Sequence, residues 1–245
     1  MLFLALKHWS KACFDGSFVL SKGNTMSAKQ TIAIIGASGN MGSAISKSLS
    51  KGNYRLLLCS DEQGKVQTVV DDIKNNNSSA DVEAIGCSAE ASWEADIIIA
   101  AVPYAAEKEV AARIKEVANQ KIVISIANPL NATFNGLATA PDTSAAEELQ
   151  KLLPNSKVVK AFNTTFAADF STPVIDGKQV DAFIAGNDEE AVQTVSELVS
   201  TAGFNPILAG DLSVSRTLEA MQLLLIQLGM KYNYNWLAGW KILHN

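Results

Sequence analysis

From residue 30 onward two patterns alternate along the chain. Short runs dense in β-branched and aliphatic residues have the length of buried strands. The stretches between them carry apolar residues every three or four positions on a polar background. The first pattern predicts strands in the run ending at Ile35 and over residues 54–59, 82–85, 96–102, 121–126, 157–162, 181–185 and 205–209. The second predicts helices over 43–49, 64–74, 105–118, 144–153 and 189–201, with a loop of asparagines and serines at 74–79. A last helix over 213–228 is apolar around most of its circumference: Leu218, Met221, Leu224, Leu225 and Leu228 share one face, and Leu223 and Ile226 widen it. Strands and helices in this alternation predict an α/β protein, a Rossmann-type, doubly wound, mainly parallel sheet with a C-terminal apolar helix.

Residues 1–25 stand outside this pattern. The apolar run from Met1 to Leu6 ends at Lys7 and His8, short for an export signal and with no charged segment before it. The expectation is a disordered or artefactual extension over 1–25, with Met26 as a start and residues 26–245 as one domain. No stretch approaches the roughly 18–20 apolar residues of a membrane span, so no membrane partner is expected. The formal net charge of −5, with no cluster of lysine and arginine, argues against a nucleic-acid partner. Cys13, Cys59 and Cys87 are odd in number and scattered, which fits a reducing, cytoplasmic setting without a disulfide framework. No Cys/His spacing of a metal site is present.

The most informative segment is T-I-A-I-I-G-A-S-G-N-M-G, Thr31 to Gly42. An apolar strand runs into three glycines, Gly36, Gly39 and Gly42, and then into a helix. That order suits a dinucleotide pyrophosphate: small residues admit the backbone close to the phosphates, and the helix N-terminus attracts the negative charge. Ser38, Asn40 and Met41 complete the loop. A tight turn with no ligand is the bland alternative.

In an open parallel sheet, ligands lie outside the carboxyl ends of the strands. After the second strand come Ser60, Asp61 and Glu62. Asp61 suits a free ribose 2′-hydroxyl and would repel a 2′-phosphate, whereas Ser60 and Lys65 could serve a phosphate; a solvated acidic turn is the third reading. After the 96–102 strand, Ala101, Val102 and Pro103 offer an apolar wall, and the proline ends the strand. Asn128 follows the next strand and Asn163 and Thr164 the one after; the asparagines can bond a carboxamide or serve as turn residues. The tail over 231–240 is rich in aromatics, either packing or a pocket wall. With the apolar last helix it leaves two explanations open, a dimer interface or the tail folded over the helix. A homodimer is the expected assembly.

G-A-S-G-N-M-G after a strand, A-V-P-Y, A-N-P-L, V-V-K-A-F-N-T and then S-R-T-L-E-A-M-Q-L-L-L-I-Q-L occur in that order. Together they resemble the deazaflavin (coenzyme F420)-dependent NADP oxidoreductases from about Gln30 to Leu228. The same domain is shared with ferric-chelate reductases and, more distantly, pyrroline-5-carboxylate reductases. The resemblance implies an NAD(P)-binding Rossmann domain transferring a hydride between a nicotinamide and a flavin-like, deazaflavin or other small-molecule redox acceptor. It places the nicotinamide near Val102, Pro103 and Asn128, and the acceptor near Asn163 and Thr164. NADP is the implied cofactor. NAD is the alternative, because Asp61 stands where the family commonly has arginine. The glycine loop is also one residue longer than the family's usual form. Past the extension the one histidine is His244, so no strand end offers the histidine acid/base that hydroxy-acid dehydrogenases use. Y-A-A-E-K at Tyr104–Lys108 matches the short-chain dehydrogenase pair only by chance, since it follows the glycine loop too soon. A non-catalytic dinucleotide-binding sensor or scaffold is the other reading.

Overall fold

Strand β1 (Gln30–Ile35) is buried along its last four residues and leads through the glycine turn into α1 (Asn40–Leu49). The computed structural model describes residues 29–244, so the extension over 1–25 and Met26 lie outside the described residues. The chain continues through β2 (Tyr54–Cys59), α2 (Gln63–Asn76), β3 (Asp81–Ala84), α3 (Ser88–Glu94), β4 (Ile97–Ala100), α4 (Tyr104–Ile114), β5 (Ile122–Ser125), α5 (Ala145–Leu152) and β6 (Lys157–Lys160). A single 3-10 turn and the two-residue strands β7 (Val174–Ile175) and β8 (Lys178–Gln179) form a small hairpin excursion. Then come β9 (Asp181–Gly186), α6 (Glu189–Thr201), β10 (Asn205–Gly210) and α7 (Ser215–Tyr232).

One eight-stranded sheet in the order β10-β9-β6-β5-β4-β1-β2-β3 organises the molecule. Strands β1 to β6 are mutually parallel, joined by helical crossovers. The expected alternation therefore gives the expected doubly wound sheet. Strand β9 pairs with β6 antiparallel and β10 follows β9 in parallel, so the last two strands run against the rest. Between β6 and β9 the chain has the hairpin and no crossover helix, and an antiparallel neighbour needs none.

Two apolar layers cover the sheet. Ile32, Ile34, Leu56, Ile97 and Ile124 pack under α1, α2 and α6, while Ala33, Leu57, Ile98 and Val123 pack under α3, α4 and α5. The alternation of neighbouring residues between faces is the period of a strand buried on both sides. Helix α3 was not expected: S-A-E-A-S-W-E buries only Ala91 and Ser92 and shows no apolar stripe. Helix α2 also runs to Asn76, into the stretch expected as loop.

Helix α7 corrects the expected face. Its buried residues are Ser215, Leu218, Glu219, Gln222, Leu225 and Ile226, whereas Leu224 is exposed. The tail returns over it: Trp236 meets Phe166 edge-on at 5.6 Å, and Trp240 bridges Asp181 of β9. That return is the packing reading of the tail. No helix among the described residues is long and apolar enough to cross a membrane.

Candidate functional site

The sheet changes winding direction between β1 and β4, and the crevice opens there. Three glycines build its floor. Gly36 has φ +88°, and a Cβ on it would stand 2.2 Å from the Ala101 carbonyl oxygen. A Cβ on Gly42 would stand 2.2 Å from the Gly36 carbonyl oxygen. Neither contact is compatible with a side chain, so β1, β4 and α1 close on one another only because these positions are glycine. The Gly36 and Ala37 N–H groups both donate to the Cys59 carbonyl, hanging the turn on the end of β2. Helix α1 starts at Asn40 with Gly39 as its N-cap and no capping side chain. Its first-turn N–H groups are thus left facing the crevice mouth for an anion.

Gly39, Asn40 and Met41 form one wall of a cleft of about 690 Å³. Ala101, Val102, Pro103 and Tyr104 form the second wall, and Ile126, Ala127, Asn128, Leu130 and Ala138 the third. The structure therefore brings together the glycine loop, the β4 exit and Asn128, which the sequence scatters over ninety residues. Their chemistry fits a nicotinamide dinucleotide: an uncapped helix end for the pyrophosphate and an apolar slot for a flat ring.

Asn128 and Asn163 meet at the far end. The Asn128 Nδ2 donates to the Asn163 carbonyl and the Asn163 Nδ2 donates to Asn128 Oδ1, both at 2.9 Å. Asn163 Oδ1 is buried and has no protein partner. That atom is closed off from the cleft, whose lining includes Asn128 and not Asn163, so Asn163 acts by holding Asn128 in place. Phe162, just before it, has φ +59°, a strained backbone for a bulky residue at the exit of β6. Thr164 is placed differently from the expectation. It is fully buried, and its hydroxyl sits 3.5 Å from the Phe183 N–H that donates to it. It holds β9 and presents no atom to an acceptor.

At the other end, the Ser60 hydroxyl donates to Ser38 at 2.8 Å and accepts the Glu62 N–H. Asp61 is exposed, and Arg113 Nη1 of α4 lies 3.2 Å from its carboxylate. Lys65 pairs with Glu62 at the surface. Arg113 escaped sequence reasoning, because on α4 it is one more residue of a polar face, and its approach to β2 is a tertiary fact.

A buried polar layer lies beneath the slot. Lys160 donates to Glu219 Oε1 at 2.6 Å and to the Ala127 carbonyl, and Glu219 Oε2 accepts the Ala145 N–H. Neither Lys160 nor Glu219 has exposed surface. Glu107 accepts from Ser125 at 3.0 Å. Burial pushes its carboxyl up to about 7, against the Lys160 charge and the Ser125 hydrogen bond. Tyr104 donates to Glu148 at 2.6 Å, and that bond, with burial, pushes the phenol up to about 12. Among the described residues no cluster of histidine, cysteine or carboxylates is arranged to hold a metal.

A glycine-turned, uncapped helix at the switch point of a parallel sheet defines a Rossmann-type dinucleotide-binding protein. The family model described as NADP oxidoreductase, coenzyme F420-dependent, matches residues 31–129. An F420-dependent NADP reductase from Methanocaldococcus jannaschii is 34% identical over 212 residues, covering 82% of this chain and 93% of that protein. The chain belongs to the F420-dependent NADP oxidoreductase family, and it is an oxidoreductase. The metalloreductase STEAP3 of Rattus norvegicus is 35% identical over 106 residues, 43% of this chain and 21% of that protein. A solved structure from Arthrobacter sp. FB24, assigned provisionally as an F420-dependent NADP reductase, superposes with a TM-score of 0.75 at 22% identity, over 88% of this chain and all of that one. At that identity it supports the fold.

Proposed function

We propose that this protein exchanges a hydride between NADP(H) and the deazaflavin ring of coenzyme F420. The observation that carries the reading is the slot itself. Val102, Pro103 and Ile126 give it flat apolar sides, Asn128, held by Asn163, gives it a polar end, and among the described residues no histidine lines it. Bound NADPH would supply the hydride and F420 the acceptor carbon, with the proton that completes the reduced deazaflavin taken from water. Transfer between two stacked rings needs close, aligned placement more than a protein acid or base.

The residues divide the work along the cleft. The N–H groups at the start of α1 bind the pyrophosphate, with Gly36 and Gly42 allowing the close approach. Pro103 and Val102 support the nicotinamide face. Asn128, held by Asn163, keeps a second amide hydrogen and lone pair for the carboxamide and fixes which ring face is presented. The relatives whose names specify F420 and NADP support the choice of both partners.

The test mixes purified protein with NADPH or NADH and, separately, F420, flavins, quinones and ferric chelates, following the acceptor's absorbance. The expected result is rapid reduction of F420 by NADPH and slow or no reduction of the others. Transfer to a flavin or ferric chelate in preference to F420 would reassign the acceptor. Tight dinucleotide binding with no transfer to any acceptor would make the protein a sensor.

A further inference from the structure

We propose that Arg113, carried by α4, reads the 2′-phosphate of NADP, and that Asp61 holds its guanidinium in place until the phosphate arrives. The proposal rests on the NADP reading above. The adenosine ribose of a dinucleotide in this fold lies at the carboxyl end of β2, which here is Ser60 followed by Asp61. A lone aspartate there would repel a phosphate. Asp61 is not alone: Arg113 Nη1 is 3.2 Å from Asp61 Oδ1, and Arg113 Nη2 contacts Glu109 one helical turn back.

The guanidinium is thus shared between two carboxylates, one nitrogen to each, with neither pair bidentate. All three side chains are open to water, Asp61 most of all at 88% exposed. Exposed pairs of this kind are weak and exchange readily. A phosphate offers the same fork two oxygens and a larger charge, the geometry in which arginine binds best. Lys65, in an exposed pair with Glu62, is a second cation at this rim but offers a point charge without the fork, and the Ser60 hydroxyl points at Ser38. The arginine missing from the end of β2 is supplied from across the crevice.

The test is equilibrium binding of NADP+ and NAD+, read by calorimetry, to the wild type and to Arg113→Met, Arg113→Lys and Asp61→Asn. Arg113→Met is expected to weaken NADP+ binding at least about tenfold, as the loss of a charge-assisted phosphate contact does, and to leave NAD+ binding within about twofold. Arg113→Lys keeps the charge without the fork and falls between. Asp61→Asn frees the guanidinium and tightens NADP+ relative to NAD+. Unliganded melting temperatures identify any variant that is simply misfolded, and Arg113→Lys then carries the test. Equal weakening of both dinucleotides by Arg113→Met, or no effect on either, overturns the proposal. Binding of neither dinucleotide to the wild type overturns the NADP reading itself, and the two failures are thereby distinct.

Discussion

At the scale of single residues, the site depends on atoms that are absent. Gly42 lies against the Gly36 carbonyl with no room for a methyl group, so Gly42→Ala must push α1 away from the turn. The expected cost is about 1–3 kcal/mol of stability, as for overpacking elsewhere, together with a large loss of dinucleotide affinity. Thermal unfolding and dinucleotide titration measure the two effects, and an alanine variant that binds as tightly as the wild type would show that α1 does not approach the pyrophosphate. These glycines were legible in the sequence because a strand, a turn and a helix are contiguous; Pro103 was misjudged as the strand's end, since β4 stops at Ala100 and Pro103 is the N-cap of α4. Arg113 was not legible: nothing in a helix of alternating charge says which arginine leans on β2. Thr164 misled for a related reason. A threonine past a strand end looks accessible until β9 packs over it.

At the scale of elements, strands and helices with strong periodicity fell where the pattern put them, β2 and α6 to the residue. Helix α3 did not, since seven mostly polar residues give periodicity nothing to register. The reversal of β9 and β10 was invisible too, because a short apolar run reads the same in either direction, whether buried on both faces like β9 or half-exposed like β10. The most consequential element is α7, and its Glu219 explains why. Through Lys160 it is tied to the Ala127 carbonyl in the slot wall, and through its second oxygen to the first N–H of α5. Lys160→Met should cost about 3–5 kcal/mol, because it leaves a carboxylate buried without its partner. Adding Glu219→Leu should restore much of that loss. Urea unfolding of the single and double variants measures both. A single variant as stable as the wild type would mean that the pair is not buried as a charged couple.

At the scale of the whole molecule, a hidden carboxyl couples stability to pH. Burial raises Glu107 from 4.5 to about 7 in the native state. Between those values the folded protein holds a proton that the unfolded chain has released. Stability from this group is therefore complete below about 4.5 and is lost as pH rises through about 7. Asp169, also pushed up to about 7 by burial, adds in the same direction. Glu107→Gln, which keeps the acceptor for Ser125, should flatten this part of the stability profile. Denaturant midpoints across the range provide the measurement, and an unchanged slope in the variant would exclude Glu107 as its source.

The outer strands of the sheet, β10 and β3, decide how copies of this protein can avoid clumping. The Asn205 N–H faces inward to Val180, so its neighbour Pro206 faces outward and offers no donor there. The opposite rim carries Asp81 and Glu83, engaged by Lys29 and Arg55. One border lacks a hydrogen and the other is charged, which are two ways of refusing an extra strand. Edge-to-edge growth of the sheet is thereby disfavoured at both borders by a handful of side chains that lie away from the cleft.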